Sequence, residues 1–293
     1  MEPTGAYGRR GILVRCAYLL VALAWWVLSG FGRWGRGSAV VLCYHAIRPD
    51  RRSRFRRQME RIRSRAIDSA KLSSIPPRRA GRLPLVCVTF DDGFACLRDG
   101  AFPVLRELGI PATVFAVTGN AGRPPGWDMP PGHPESGLSL MTEEEMEEAR
   151  TGSPVRFGSH TVTHPRLTDL APPDLDRELL ESRAALGRIL GPAVEDIAFP
   201  FGAYDDRVAA AALSAGYTRL YTLDPCCHPG PLPSGRVGRF SMTPDAWPIE
   251  FLLTAAGAYA WLHPWRRLLR KMRGSDRRIP ARGSGATTTL GAR

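Results

Sequence analysis

No C-x-x-C pair occurs among the six cysteines, Cys16, Cys43, Cys87, Cys96, Cys226 and Cys227. Neither a zinc knuckle nor a disulfide framework is therefore indicated. Two of them fall in predicted strands and read as small buried hydrophobes, which leaves the redox compartment open. The chain has no internal repeat, and its 30 glycines and 26 prolines follow no G-x-y period, so collagen-like and low-complexity classes fall away. No helix-turn-helix, zinc-finger or RNP pattern is present, which argues against nucleic acid as a partner despite a formal charge of +12. What remains is a chain of 293 residues, 44% hydrophobic and 9% aromatic, enough to bury one large core or two small ones.

The positive charge is segregated. Residues 48–82 hold 13 basic against 3 acidic side chains and residues 266–293 hold 9 against 1, whereas the body between 83 and 265 has 13 basic and 23 acidic. Two basic flanks thus border an acidic domain. Such flanks are attracted to an anionic bilayer by roughly 1 kcal/mol per basic residue near the surface; a solvated arginine-rich face is the plainer reading. From Cys16 to Gly32 the chain is uncharged and strongly apolar, with Arg9, Arg10 and Arg15 before it and Arg33 and Arg36 after it. No A-x-A cleavage site follows. The segment reads as an uncleaved membrane anchor at the short limit for spanning, or as an interfacial or packed helix. Arginines on both sides leave its orientation open; the catalytic domain is expected on the extracytoplasmic side. At the other end, apolar Phe251 to Trp265 runs into Arg266, Arg267, Arg270, Lys271 and Arg273. That pattern suits an interfacial helix or a last core helix with a basic end. The expected division is an apolar membrane-associated segment over 1–36, a catalytic domain over 37–272 and a disordered basic tail over 273–293.

Within the body, short apolar runs alternate with helical patterns, the signature of parallel strands joined by helical crossovers. Strands are predicted at Ala39–Tyr44, Leu85–Phe90, Ala112–Val117, Val155–Gly158, Ile197–Phe199, Thr218–Leu223 and Arg236–Met242. Helices are predicted at Phe55–Ile67, Ala101–Leu108, Pro173–Leu190 and Arg207–Ala215, and Thr142 with Glu145 makes a capping-box start for another. The fold class is α/β, and the strand count fits a seven- or eight-membered (β/α) barrel, whose chemistry sits at the carboxyl ends of the strands. The Gly- and Pro-rich loop over 119–137 lies near such an end.

Two constellations carry chemistry. Asp91 and Asp92 follow the strand LVCVTF, with Gly93 permitting a sharp turn; at such a turn one carboxylate can bind a metal while the other faces its water. His160 and His164, four residues apart, follow the strand VRFG. Two imidazoles and one carboxylate leave coordination positions open, as catalytic Zn²⁺ sites require. An acidic turn or an H-x-x-x-H pair means little alone; together they point to a metal.

These residues resemble the polysaccharide deacetylases with a NodB homology domain, carbohydrate esterase family 4, through Thr89–Gly93 (T-F-D-D-G) and His160–His164 (H-T-x-x-H). Phe199-Pro200-Phe201-Gly202 resembles the family's Pro-aromatic motif, and the likeness runs from about Val40 to Met242. It implies a deformed (β/α) barrel of the NodB type, Asp91 as general base, and Asp92, His160 and His164 as ligands of a divalent metal of the Zn²⁺ type. It further implies substrate binding at Pro200, Phe201 and Gly202, with a backbone N–H near Phe201 helping to stabilise the oxyanion. The leaving amine needs an acid. The late L-x-H histidine of many relatives is missing, since His263 follows Trp261 and Leu262. His45, ending the first strand, resembles instead the early acid of the poly-N-acetylglucosamine deacetylase branch, which the F-x-x-Q-M run at Phe55–Met59 also fits.

A second departure is the arginine that often precedes the Pro-aromatic motif and pairs with the base; Ile197, Ala198 and Phe199 stand there. Arg239 is the candidate replacement, with a surface arginine the alternative. His133 and His228 sit in Pro- and Gly-rich loops and could line a glycan groove, as could Trp127 and Asp128, though exposed loop residues are the plainer reading. The sequence therefore predicts a membrane-associated, metal-dependent hydrolase removing N-acetyl groups from a GlcNAc-containing glycan, acting as a monomer. The rivals are a catalytically silent glycan-binding scaffold, an O-acetyl esterase and a lipid-linked sugar deacetylase.

Overall fold

The computed structural model describes residues 9–28, 39–75, 83–191, 194–228, 230–232 and 235–263. The basic end expected at Arg266–Arg273 and the tail over 273–293 lie outside them. Eight strands form one sheet: β1 (Ala39–Tyr44), β2 (Leu85–Phe90), β3 (Ala112–Ala116), β4 (Val155–Ser159), β5 (Asp196–Ala198), β6 (Arg219–Tyr221), β7 (Gly235–Val237) and β8 (Phe240–Ser241). All strand pairs are parallel and the order is β7-β6-β5-β4-β3-β2-β1-β8. Only Gly238 and Arg239 separate β7 from β8, yet these strands end the order on opposite sides. The sheet must therefore curl until its edges approach, giving the deformed barrel.

Alternation along β1 divides the core in two. Val40, Leu42 and Tyr44 point outward into the layer between sheet and helices, whereas Ala39 and Val41 join Cys87, Phe115, Ala198, Tyr221 and Val237 inside the barrel. The helices are α1 (Arg9–Leu28), α2 (Arg52–Ile62), α3 (Leu97–Gly100), α4 (Phe102–Leu108), α5 (Glu143–Gly152), α6 (Pro172–Leu190), α7 (Asp206–Ser214) and α8 (Pro248–Ala255). α2 buries Phe55, Met59 and Ile62 on one face. Thr142 caps α5, its side chain accepting from the Glu145 N–H while the Glu145 carboxylate accepts from the Thr142 N–H. Gly109 ends α4 at φ 66, a left-handed cap that a side chain would strain.

Three boundaries differ from the sequence expectation. The strand predicted over Arg236–Met242 is two short strands, because the chain breaks at Gly238, where a Cβ would fall 2.3 Å from the Asp224 carbonyl oxygen, and the next residue turns inward. The apolar run from Phe251 does not stay helical to Trp265: α8 stops at Ala255, and Gly257 adopts φ 78 with no room for a Cβ beside the Cys227 sulfur. α1 begins seven residues earlier than the apolar segment, at Arg9, and ends at Leu28. All six cysteines are free; Cys43 and Cys87 are buried and the other four partly so.

Candidate active site

The site lies at the carboxyl ends of β2, β4 and β5, where the backbone leaves the sheet through left-handed turns. After β2, Asp92 takes φ 68 and Gly93 φ 77. A Cβ at Gly93 would stand 3.2 Å from Ala116, so glycine lets this turn press against the end of β3. The Asp91 N–H donates to the Tyr44 carbonyl at 2.9 Å, fixing the first carboxylate as the last residue of the ladder, while the turn swings the second toward β4.

Beyond β4, Thr161 and His164 also have positive φ, 70 and 60. A β-branched residue in this region is strained by about 1–3 kcal/mol and persists only where its surroundings over-determine it. Here they do. Buried Glu178 of α6 accepts from the Val162 N–H (2.8 Å), the Thr163 N–H (3.0 Å) and the Thr163 hydroxyl (2.6 Å). The Thr161 hydroxyl accepts from the His164 N–H at 3.1 Å. The Thr161 and Val162 carbonyls accept from Thr118 and Gly119.

The result is convergence on one point. The Nε2 atoms of His160 and His164 stand 3.4 and 3.5 Å from the same oxygen, Oδ1 of Asp92, and one ligand-type atom from each of the three residues lies within 4.8 Å of the others. Tetrahedral bonds of about 2.0–2.1 Å place ligand atoms about 3.3–3.4 Å apart, so this spacing suits an ion between them. His160 Nδ1 donates to the Ala198 carbonyl at 2.8 Å, leaving Nε2 with its lone pair toward Asp92. Buried Nδ1 of His164 has no hydrogen-bond partner, and burial beside His160 pushes its imidazole down to about 3, so it stays neutral and able to ligate. The three residues fit a divalent metal.

Asp91 sits beside this cluster, its Oδ2 4.0 Å from His160 Nε2. Arg239, fully buried, reaches across the barrel end and donates from Nη1 to Oδ1 (2.6 Å) and from Nη2 to Oδ2 (2.8 Å). Its Nε donates to the Thr222 carbonyl at 3.2 Å, anchoring it to β6, and the Cys43 thiol donates to Asp91 Oδ2 at 3.3 Å. Burial alone would raise the Asp91 carboxyl, but the guanidinium and His160 outweigh it and hold the group well below the usual carboxylate range. Arg239 is thus buried against Asp91 and is not a surface residue.

His45 follows β1, half-buried, and its imidazole interacts electrostatically with Asp91, Asp92 and Glu135. Phe201 takes φ 58 in the turn Pro200–Gly202, where a Cβ on Gly202 would collide with Leu223. Its half-exposed ring meets His164 edge-on at 4.6 Å, and the Trp127 ring also lies against His164, at 4.2 Å. Two aromatic rings therefore wall the second histidine.

Glu135 and Glu178 escaped the sequence reading, whereas Trp127, expected to be exposed or to line a groove, is half-buried. Trp127 and Glu135 come from the long loop after β3, which folds back so that Glu135 Oε1 accepts from the Ala46 N–H at 3.2 Å. Aromatic and acidic residues in a Gly- and Pro-rich loop gave no spacing to read. Glu178 did leave a signal, an acid among the inward positions Leu175, Leu179, Ser182 and Leu186 of α6. Two histidines expected to be exposed are not. His228 is buried beneath the barrel, its Nε2 donating to the Gly238 carbonyl at 3.1 Å and its backbone pairing with Ala39, because the loop closes the open end of β1. The His133 side chain is only 12% exposed, drawn in beside Glu135. Asp128 is exposed, as expected.

The family model for polysaccharide deacetylases matches residues 79–220, which contain the paired aspartates, both histidines and the Pro-aromatic turn. Residues 79–220, just under half of the chain, thus match the polysaccharide deacetylase family. Among solved structures, the chain is similar to IcaB from Ammonifex degensii, with 26% identity, a TM-score of 0.61, and 75% of this chain and 98% of that one covered. It is 29% identical over 153 residues to a chitooligosaccharide deacetylase of Sinorhizobium fredii, covering 51% of this chain and 62% of the relative. It is 22% identical over 157 residues to a poly-β-1,6-N-acetyl-D-glucosamine N-deacetylase of Staphylococcus aureus, covering 50% of this chain and 51% of the relative. The chain thus spans between half and two thirds of the length of these curated relatives.

Proposed function

We propose that this protein is a metal-dependent deacetylase that removes N-acetyl groups from a GlcNAc-containing glycan at a membrane surface. The observation that carries the reading is the meeting of Asp92, His160 and His164 at one point, with Asp91 beside them. The relatives' activities on chitooligosaccharide and on poly-β-1,6-N-acetyl-D-glucosamine support the substrate class. In this reading Asp92, His160 and His164 hold the ion, most simply Zn²⁺, which when bound polarises the acetyl carbonyl and acidifies water.

Asp91 takes the proton of the attacking water as its oxygen adds to the carbonyl carbon. Arg239 grips both Asp91 oxygens and keeps them aimed at the site, and in the turn at Pro200–Gly202 the Phe201 N–H serves as a donor to the developing oxyanion. His45 donates a proton to the nitrogen as the C–N bond breaks, so acetate and a free amine leave. Phe201 and Trp127 present apolar faces to a sugar ring. The catalytic unit covers 37–272, with the apolar segment over 1–36 as its attachment to the bilayer. Arg239 on Asp91 removes the main motive for a silent scaffold, the missing arginine.

The direct test is acetate release from N-acetylglucosamine oligomers, β-1,6 and β-1,4 in parallel, by chelator-treated protein before and after Zn²⁺ is restored. Release that returns with metal is expected, and the preferred linkage names the glycan. No release from either oligomer by metal-loaded protein would overturn the proposal.

A further inference from the structure

The N-terminal helix is fastened to the catalytic body along one side. Arg15 forms an ion pair with Glu250 of α8, and its guanidinium stands 4.2 Å over the Trp247 ring. One turn further Tyr18 stacks on Trp261 at 6.0 Å, and Leu19, Ala22 and Trp26 pack among Leu253, Ala258 and Tyr259. Positions 15, 18, 19, 22 and 26 follow helical spacing and make a single stripe. The opposite face is bare: Leu13, Leu20 and Leu28 are 70, 65 and 81% exposed, whereas Ala22 on the docked stripe is fully buried. No charged side chain lies between Cys16 and Leu28.

This face has the hydropathy of a membrane segment, and only 6% of the window Gly11–Leu28 is buried. On the docking helix itself, Ile249 and Leu252 are also exposed. α2, which packs on α8, presents Arg57 and Arg61 to solvent one turn apart, and neither has an acidic partner among the described residues. An apolar face on a body that also carries exposed guanidinium groups suits the boundary between acyl chains and anionic headgroups.

The direction in which α1 meets that boundary follows from the docked stripe. Its 20 residues make a helix about 30 Å long, the thickness of a hydrocarbon core. The stripe from Arg15 to Trp26 occupies about 16 Å of that length. An upright helix would either draw Glu250, Trp247 and the adjoining backbone into hydrocarbon or peel away, leaving Glu250 without Arg15 and baring Leu253 and Ala258. A helix lying flat does neither. It has no polar side of its own, but the catalytic body covers the side that would otherwise need one.

We infer that α1 lies in the plane of the bilayer, with Leu13, Leu20 and Leu28 in the acyl boundary and its opposite side docked on the catalytic domain, so that the protein is monotopic rather than spanning. The inference rests on the membrane attachment proposed above and is independent of the deacetylase chemistry. To test it, full-length Leu13→Cys, Leu20→Cys and Leu28→Cys variants each carry a nitroxide, the signal from native thiols in the unsubstituted protein being subtracted. They are reconstituted with vesicles of phosphatidylcholine and phosphatidylglycerol, and label depth is read by power saturation. The expected result is one common depth, about 5–10 Å below the headgroups, for all three labels. Depths that progress along the helix by about 22 Å from residue 13 to residue 28, the length of fifteen helical residues, would overturn it; so would three labels in water. Acetate release from the same vesicles is scored separately, so that its loss with three equal depths counts against the deacetylase reading and still supports the anchor.

Discussion

Arg239 and Asp91 are the pair on which the site's electrostatics turn. Both are buried, and each of the two terminal guanidinium nitrogens meets its own carboxylate oxygen. Because the folded-state carboxyl of Asp91 is depressed, the pair's stabilisation is present above the ordinary carboxylate range, near pH 4, and is lost as pH falls through the lower folded value. Arg239→Met leaves Asp91 buried without a partner, which costs about 3–5 kcal/mol at neutral pH. The deficit should shrink toward pH 4, where the lone carboxyl takes up a proton. Denaturant titrations of metal-free protein at both pH values check this; an equal deficit at each would mean that the lost stability is packing rather than charge. The pairing was partly legible in the sequence. An unpaired base calls for a cation, and Arg239 stood in a predicted strand near the site's end of the barrel, but its inward direction depends on the break at Gly238, which no periodicity announced.

At the scale of elements, the strands were readable and the turns that follow them were not. Runs such as Ala39–Tyr44 and Leu85–Phe90 are apolar throughout because both faces are buried, so their limits coincide with the structure. The chemistry depends instead on left-handed residues at Asp92, Thr161, His164 and Phe201, none of which is glycine. Nothing in a sequence marks a threonine that must take φ 70; the restraint comes from another element, α6, through Glu178. Glu178→Ala strips acceptors from two backbone N–H groups and a hydroxyl and should release the H-T-V-T-H turn. Loss of a partner that orients ligands in this way typically weakens metal binding about 10–100-fold. Glu178→Gln keeps one acceptor oxygen and should fall between the two. Zinc affinities by competition with a chelating dye separate the three proteins; equal affinities would mean that the turn holds its shape without α6.

At the scale of the whole molecule, charge and hydropathy divide the chain into parts with different surroundings. The acidic body holds the barrel and the site, α2 gathers arginines, and α1 turns a leucine-rich face outward. That segregation was visible in the sequence, as was the barrel from the alternation of strands and helices. The docking of α1 on α8 was not, because it rests on Arg15 finding Glu250 across 235 residues. The central claim remains that three residues hold a metal and a fourth uses it. It is tested most directly by measuring bound zinc and acetate release together on His164→Ala and Asp91→Asn. The account predicts that His164→Ala loses both, while Asp91→Asn keeps its zinc and loses about 100-fold or more in rate. Acetate release at the unsubstituted rate by either variant would contradict it.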